Sequence, residues 1–197
     1  MKKQRLLSLY QIFAAFASLL MLGSHGFAQT TWNGTLSGTQ SWNVNANWTP
    51  ATYPNAAGAV VNLNQDITTA LTVSLNQNIT VGTLNYGDLV GTAGMTIATG
   101  TGTNTLTFDS GVAGGNATIN TLGSNTTTQT ISAGIVIASG TTLHVNGGTQ
   151  ILATSGIFNA SSSDVIVTNG LSNNQTWTVN GDLLGTGQRI NFPGGSR

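Results

Sequence analysis

The sequence predicts an all-β fold, a solenoid of short stacked strands, with a β-sandwich as the alternative arrangement. Three observations predict it. Apolar and polar residues alternate in short runs, Gly and Asn close those runs, and charged residues make up only 5% of the chain. Alternation with a period of two buries one face of a strand. Asn and Gly supply turns that need positive φ, and Thr with the β-branched apolar residues suits a pleated, half-buried surface. Disorder is the weaker reading, because disordered segments combine low hydrophobicity with high charge.

Residues 1–28 stand apart from the fold. Lys2, Lys3 and Arg5 precede an apolar run over 6–22, and Gly26 and Ala28 place small residues at −3 and −1 before Gln29. That order of charge, apolar run and small residues is that of a cleaved secretory signal peptide. A transmembrane anchor competes, since the run approaches the ~20 residues a bilayer needs. Ser8 and Gln11 interrupt it, and no basic stop-transfer cluster follows. The chain has no Cys, which excludes a disulfide framework and a lipoprotein anchor. Beyond residue 28 there is no Lys and no Glu; Arg189 and Arg197 against five aspartates leave a formal charge of −3. Nucleic acid and anionic membrane both require clustered cations, so neither is an expected partner.

Residues 29–58 hold three of the four Trp (Trp32, Trp42, Trp48), and Pro50 and Pro54 lie near the end of the segment. A solenoid must cover its open end, so this atypical stretch reads as an N-terminal cap. Residues 59–197 read as solenoid rungs. Expected strands centre on 71–75, 79–84, 95–97, 106–108, 135–137, 143–145, 165–167 and 177–179. Asn-Gly between such runs is a hairpin signal and favours the sandwich, whereas likeness between the units favours a repeat architecture. The Asn-Gly turns at 146 and 169 are 23 residues apart and the next only 11, which rungs of two or three strands accommodate. Residues 191–197 read as a stop in mid-architecture, leaving an open edge that invites self-association.

Trp32-Asn33-Gly34, Ser41-Trp42, Ala46-Asn47-Trp48 and Pro54 together resemble the opening of large bacterial surface proteins with autotransporter-associated β-strand repeats. Asn78-Ile79-Thr80-Val81-Gly82-Thr83-Leu84 is similar to their early rungs, and the stretch from Asn173 through Gly181 to Gly187 to their later ones. The resemblance implies a right-handed parallel β-helix, export, and a role in adhesion or surface presentation in a Gram-negative-type bacterium. It brings no catalytic motif. This chain departs from the family in lacking a long repeat array, an outer-membrane barrel and a sorting tail.

Chemistry has little to work with. His144, the only histidine after residue 28, alternates with Leu143 and Val145 and so turns away from their face. No G-x-S-x-G elbow occurs, and one His without Cys does not make a zinc site. Asp66, Asp88 and Asp109 are separated by 22 and 21 residues, near one rung length. Stacked, they would form a carboxylate column for glycoside hydrolysis or Ca²⁺; as turn residues they need no such role. Trp32, Trp42 and Trp48 are the candidate glycan contacts, against the plainer expectation that they pack beneath the first rung. The sequence therefore predicts a structural or adhesin-like surface solenoid, not an enzyme, with no cofactor and no metal. Its expected partners are extracellular polysaccharide or other surface proteins. A carbohydrate-binding module using the Trp segment is the first alternative, and a polysaccharide-degrading β-helix the second.

Overall fold

The computed structural model describes residue 27, residues 29–123 and 127–147, and the backbone of short strands between 151 and 191. The expected leader, apart from Phe27, and the expected stop beyond residue 191 lie outside the described residues.

Strands β1 (Gln29–Trp32), β2 (Gly38–Ser41) and β3 (Trp48–Thr49) open the fold. The chain then winds in triplets. The first is β4 (Val60–Gln65), β5 (Leu71–Leu75) and β6 (Ile79–Val81); the second is β7 (Thr83–Asp88), β8 (Met95–Thr99) and β9 (Thr105–Phe108). The third is β10 (Asn116–Thr121), β11 (Thr128–Ile131) and β12 (Gly134–Ile137), followed by β13 (Thr142–Asn146), β14 (Ile151–Thr154) and β15 (Phe158–Asn159). Last come β16 (Val165–Thr168), β17 (Trp177–Val179), β18 (Leu183–Leu184) and β19 (Ile190–Asn191). Corresponding strands of successive triplets lie side by side, giving three sheets along one axis. Their orders are β19-β16-β13-β10-β7-β4-β1-β3, β17-β14-β11-β8-β5-β2 and β18-β15-β12-β9-β6. Only β1 and β3 pair antiparallel among the described strands; the coil-to-coil pairs are parallel. This is a parallel β-helix. The sandwich is set aside, because Asn146-Gly147 ends a parallel strand instead of making a hairpin.

Register explains the core. Val61, Leu84, Ile119 and Val145 form one inward file of the first sheet. Val73, Ile97 and Ile131 form another in the second sheet, and Val81, Phe108 and Ile137 a third. All are buried. Each such Val, Leu, Ile or Phe contributes about 1.5–3 kcal/mol by leaving water, and each packs on the equivalent residue of the next coil. Corners are tight: Gly82 alone separates β6 from β7, and a Cβ there would lie 2.5 Å from Gly58 Cα in the coil before. Only glycine fits that approach.

The N-terminal end is closed by local devices. The two-residue β3 covers β1, blunting the edge of the first sheet. In the third sheet, where no strand precedes β6 among the described residues, Asn55 Oδ1 accepts the Thr80 N–H at 2.7 Å in place of a neighbouring strand.

Candidate functional site

The candidate glycan contacts are core residues. Trp42 is 0% exposed, Trp48 1% and Trp32 3%. Trp32 meets Trp48 edge-on at 5.0 Å between ring centres, and Trp42 tilts against Trp48 at 4.8 Å. The chain between Trp42 and Trp48 is no strand; a 3-10 turn at Asn45–Asn47 folds it so that both indoles enter the interior. Trp42 Nε1 donates to Pro54 O at 2.9 Å and Trp48 Nε1 to Trp42 O at 2.7 Å. Stacking on a sugar requires an exposed ring face, and these rings spend their faces on one another. The expectation of glycan contact at Trp32, Trp42 and Trp48 is therefore corrected: the three indoles plug the end of the helix, and the binding-module alternative loses the residues it relied on.

The carboxylate column does not form. Asp88 ends β7 and Asp66 follows β4, both in the first sheet, whereas Asp109 follows β9 in the third, at another corner of the coil. Loops of unequal length defeat the regular spacing seen in the sequence. Asp88 is buried; its Oδ1 accepts the Ile67 N–H and its Oδ2 the Ala93 N–H, both at 3.1 Å. Asp109 Oδ1 accepts the Gly111 N–H at 2.8 Å, closing a turn whose glycine has φ 76°. Among the described residues no three or more His, Cys, Asp or Glu side chains gather as metal ligands do. His144 lies half-buried on the outer face, between the inward Leu143 and Val145, as alternation predicts.

Two buried polar groups fasten the coils from inside. The Tyr86 hydroxyl lies 2.7 Å from both Met95 O and Thr130 O, on consecutive coils, and shares its one hydrogen between them. Burial pushes its phenol pKa well up from the ordinary range. Gln129, also buried, accepts the Met95 N–H at 2.9 Å through Oε1.

The outer faces carry the molecule's chemical character. On the first sheet Thr31, Asn62, Asn85, Asn120 and Asn146 stand in register. Asn62 Nδ2 donates to Thr31 Oγ1 at 3.2 Å, Asn85 Nδ2 to Asn62 Oδ1 at 2.7 Å, Asn120 Nδ2 to Asn85 Oδ1 at 2.8 Å, and Asn146 Nδ2 to Asn120 Oδ1 at 2.9 Å. On the second sheet Thr39, Thr72, Thr96 and Thr130 form a parallel file. Successive members are about 4.8 Å apart, the strand spacing. An internal ladder asparagine uses one N–H and one oxygen lone pair along the file, leaving a second of each for solvent or a ligand. The surface is thus a set of uncharged donors and acceptors at regular intervals.

No protein-family model, curated protein or solved structure matches this chain. The surface must therefore be read from its own residues. Tyr86 and Gln129 were missed in the sequence; outward Asn and Thr stacking in ladders is what a charge-poor solenoid predicts, but the residues that form the ladder and the file were not picked out. A signal for the ladder exists: an inward apolar residue precedes Asn each time, in Val61-Asn62, Leu84-Asn85, Ile119-Asn120 and Val145-Asn146.

Proposed function

We propose that this chain is an exported, non-catalytic structural β-solenoid of a bacterial cell surface, which meets extracellular polysaccharide or neighbouring surface proteins through its flat outer faces. The outer asparagine and threonine files of the first two sheets carry the reading. Asn and Thr are repeated coil after coil where they face outward, and polar side chains that turn inward serve the fold, as Asp88 and Gln129 do. A surface of that kind works by many weak, repeated contacts and not at one reactive point. The leader-like residues 1–28, the scarcity of charge and the resemblance to autotransporter-associated repeats support export and surface presentation.

The test is expression of the full chain with a C-terminal epitope in a Gram-negative host, followed by fractionation and protease treatment of intact cells. The expected outcome is a product beginning at Gln29, outside the inner membrane, and degraded when protease is added to whole cells. An uncut chain retained in the cytoplasm would sink the export reading. Reducing-end release from polysaccharides, abolished by Asp88→Asn, would sink the non-catalytic one.

A further inference from the structure

The fold forces a glycine next to an exposed asparagine at one point in the cap. Gly34 sits on Trp32: a Cβ added there would lie 2.7 Å from Trp32 Cζ2 and 2.9 Å from Asn47 Cγ, so position 34 admits no side chain. The residue before it, Asn33, is exposed and lies just past the end of β1. Its backbone N–H is held by Asn47 O at 2.7 Å, but its side-chain amide has no hydrogen bond among the described residues, and neither has the Gly34 N–H. Asparagine followed by glycine is a chemically labile pair, because the glycine has no side chain to shield its backbone nitrogen.

We propose that Asn33-Gly34 is a self-modification site, at which the cap deamidates with age, and that the asparagine ladder protects the other described Asn-Gly pair, Asn146-Gly147. In the first step the Gly34 amide nitrogen attacks Asn33 Cγ. The new N–Cγ bond closes a succinimide ring, the bond from Cγ to the side-chain nitrogen breaks, and ammonia leaves with the proton from Gly34. Water then opens the ring at either carbonyl, giving aspartate or isoaspartate; nothing is oxidised or reduced. At Asn146 the same attack is opposed. The residue is paired within β13 and its Nδ2 donates to Asn120 Oδ1 at 2.9 Å, so a hydrogen bond and a strand end must open before the ring can form. The product at Asn33 adds a negative charge. As isoaspartate it also lengthens the backbone between β1 and the Gly34 seat on Trp32, which loosens the plug.

The experiment is incubation of the full chain in mildly alkaline buffer, native and in denaturant, with peptide mass mapping over time and isoaspartate detection. In the native protein the peptide holding Asn33 is expected to convert about tenfold faster than that holding Asn146, the factor set by one hydrogen bond that must open first. In denaturant the two rates converge. Asn120→Ala, which removes the ladder acceptor, is expected to speed conversion at Asn146 in the native protein and leave Asn33 unchanged. Thermal melting of the aged protein is expected to fall below that of fresh protein, and ageing of Asn33→Gln to leave melting unchanged. Equal native rates at the two sites, or an Asn33 that converts only in denaturant, would overturn the proposal.

Discussion

Tyr86 shows what a single side chain does inside a stacked coil. Its hydroxyl serves carbonyls on two consecutive coils while the ring fills the file between them. Such a group costs free energy unless it is paired, and returns about 1 kcal/mol when it is. Its raised pKa has a defined consequence for pH. Below about 10 the phenol is protonated in folded and unfolded chains alike, and stability does not depend on its titration. Above that value the unfolded chain releases the proton while the folded one keeps it, so stability falls by up to about 1.4 kcal/mol per pH unit until the folded pKa is reached. Urea titrations from neutral to strongly alkaline pH are expected to show this decline in the native sequence. Tyr86→Phe should lose about 1 kcal/mol at neutral pH and show a shallower alkaline decline; an unchanged decline would mean that Tyr86 is not its source.

At the scale of the element, the asparagine ladder joins strands that already share backbone hydrogen bonds. Asn85 gives one side-chain hydrogen bond and receives another, so Asn85→Ala should cost about 1–3 kcal/mol. Thr31→Val, which removes only the terminal acceptor, should cost less, as measured by chemical denaturation. The strands themselves were legible. The 71–75 alternation became β5, and the run over 79–84 became β6 and the start of β7, broken where Gly82 turns the corner. The polar strands β10 and β11 were not, since alternation of Thr, Asn and Gln with few apolar residues carries a weak signal. Stacked Asn was expected in general, but the ladder's members escaped because they lie 23, 35 and 26 residues apart, and no fixed period connects them. For the same reason the nearly regular aspartates do not stack: even spacing in sequence is no guide to register when loops vary. The tryptophans were legible as a plug because large aromatic residues clustered at the start of a coil have one efficient place to go.

Across the whole molecule, shape and hydrogen bonding replace charge. Beyond residue 28 there are two cations and five aspartates, so long-range electrostatics contribute little and there is little for salt to screen. The melting temperature of residues 29–197 is accordingly expected to move, between low and moderate sodium chloride, by less than the ~2–4 °C that 1 kcal/mol produces in a chain of this size. A larger shift would reveal ion pairing that dominates the stability. Each coil packs on its neighbours alone, in the manner of stacked repeats. That arrangement has a mechanical side. Pulled from its two ends, such a molecule yields as a reel pays out line, one winding at a time, while the remainder stays wound. The winding between Asn62 and Asn85 holds 23 residues and releases about 80 Å of extended chain, whereas the next, with 35, releases about 120 Å. A molecule made this way would absorb tugging in uneven steps and keep most of its length under load.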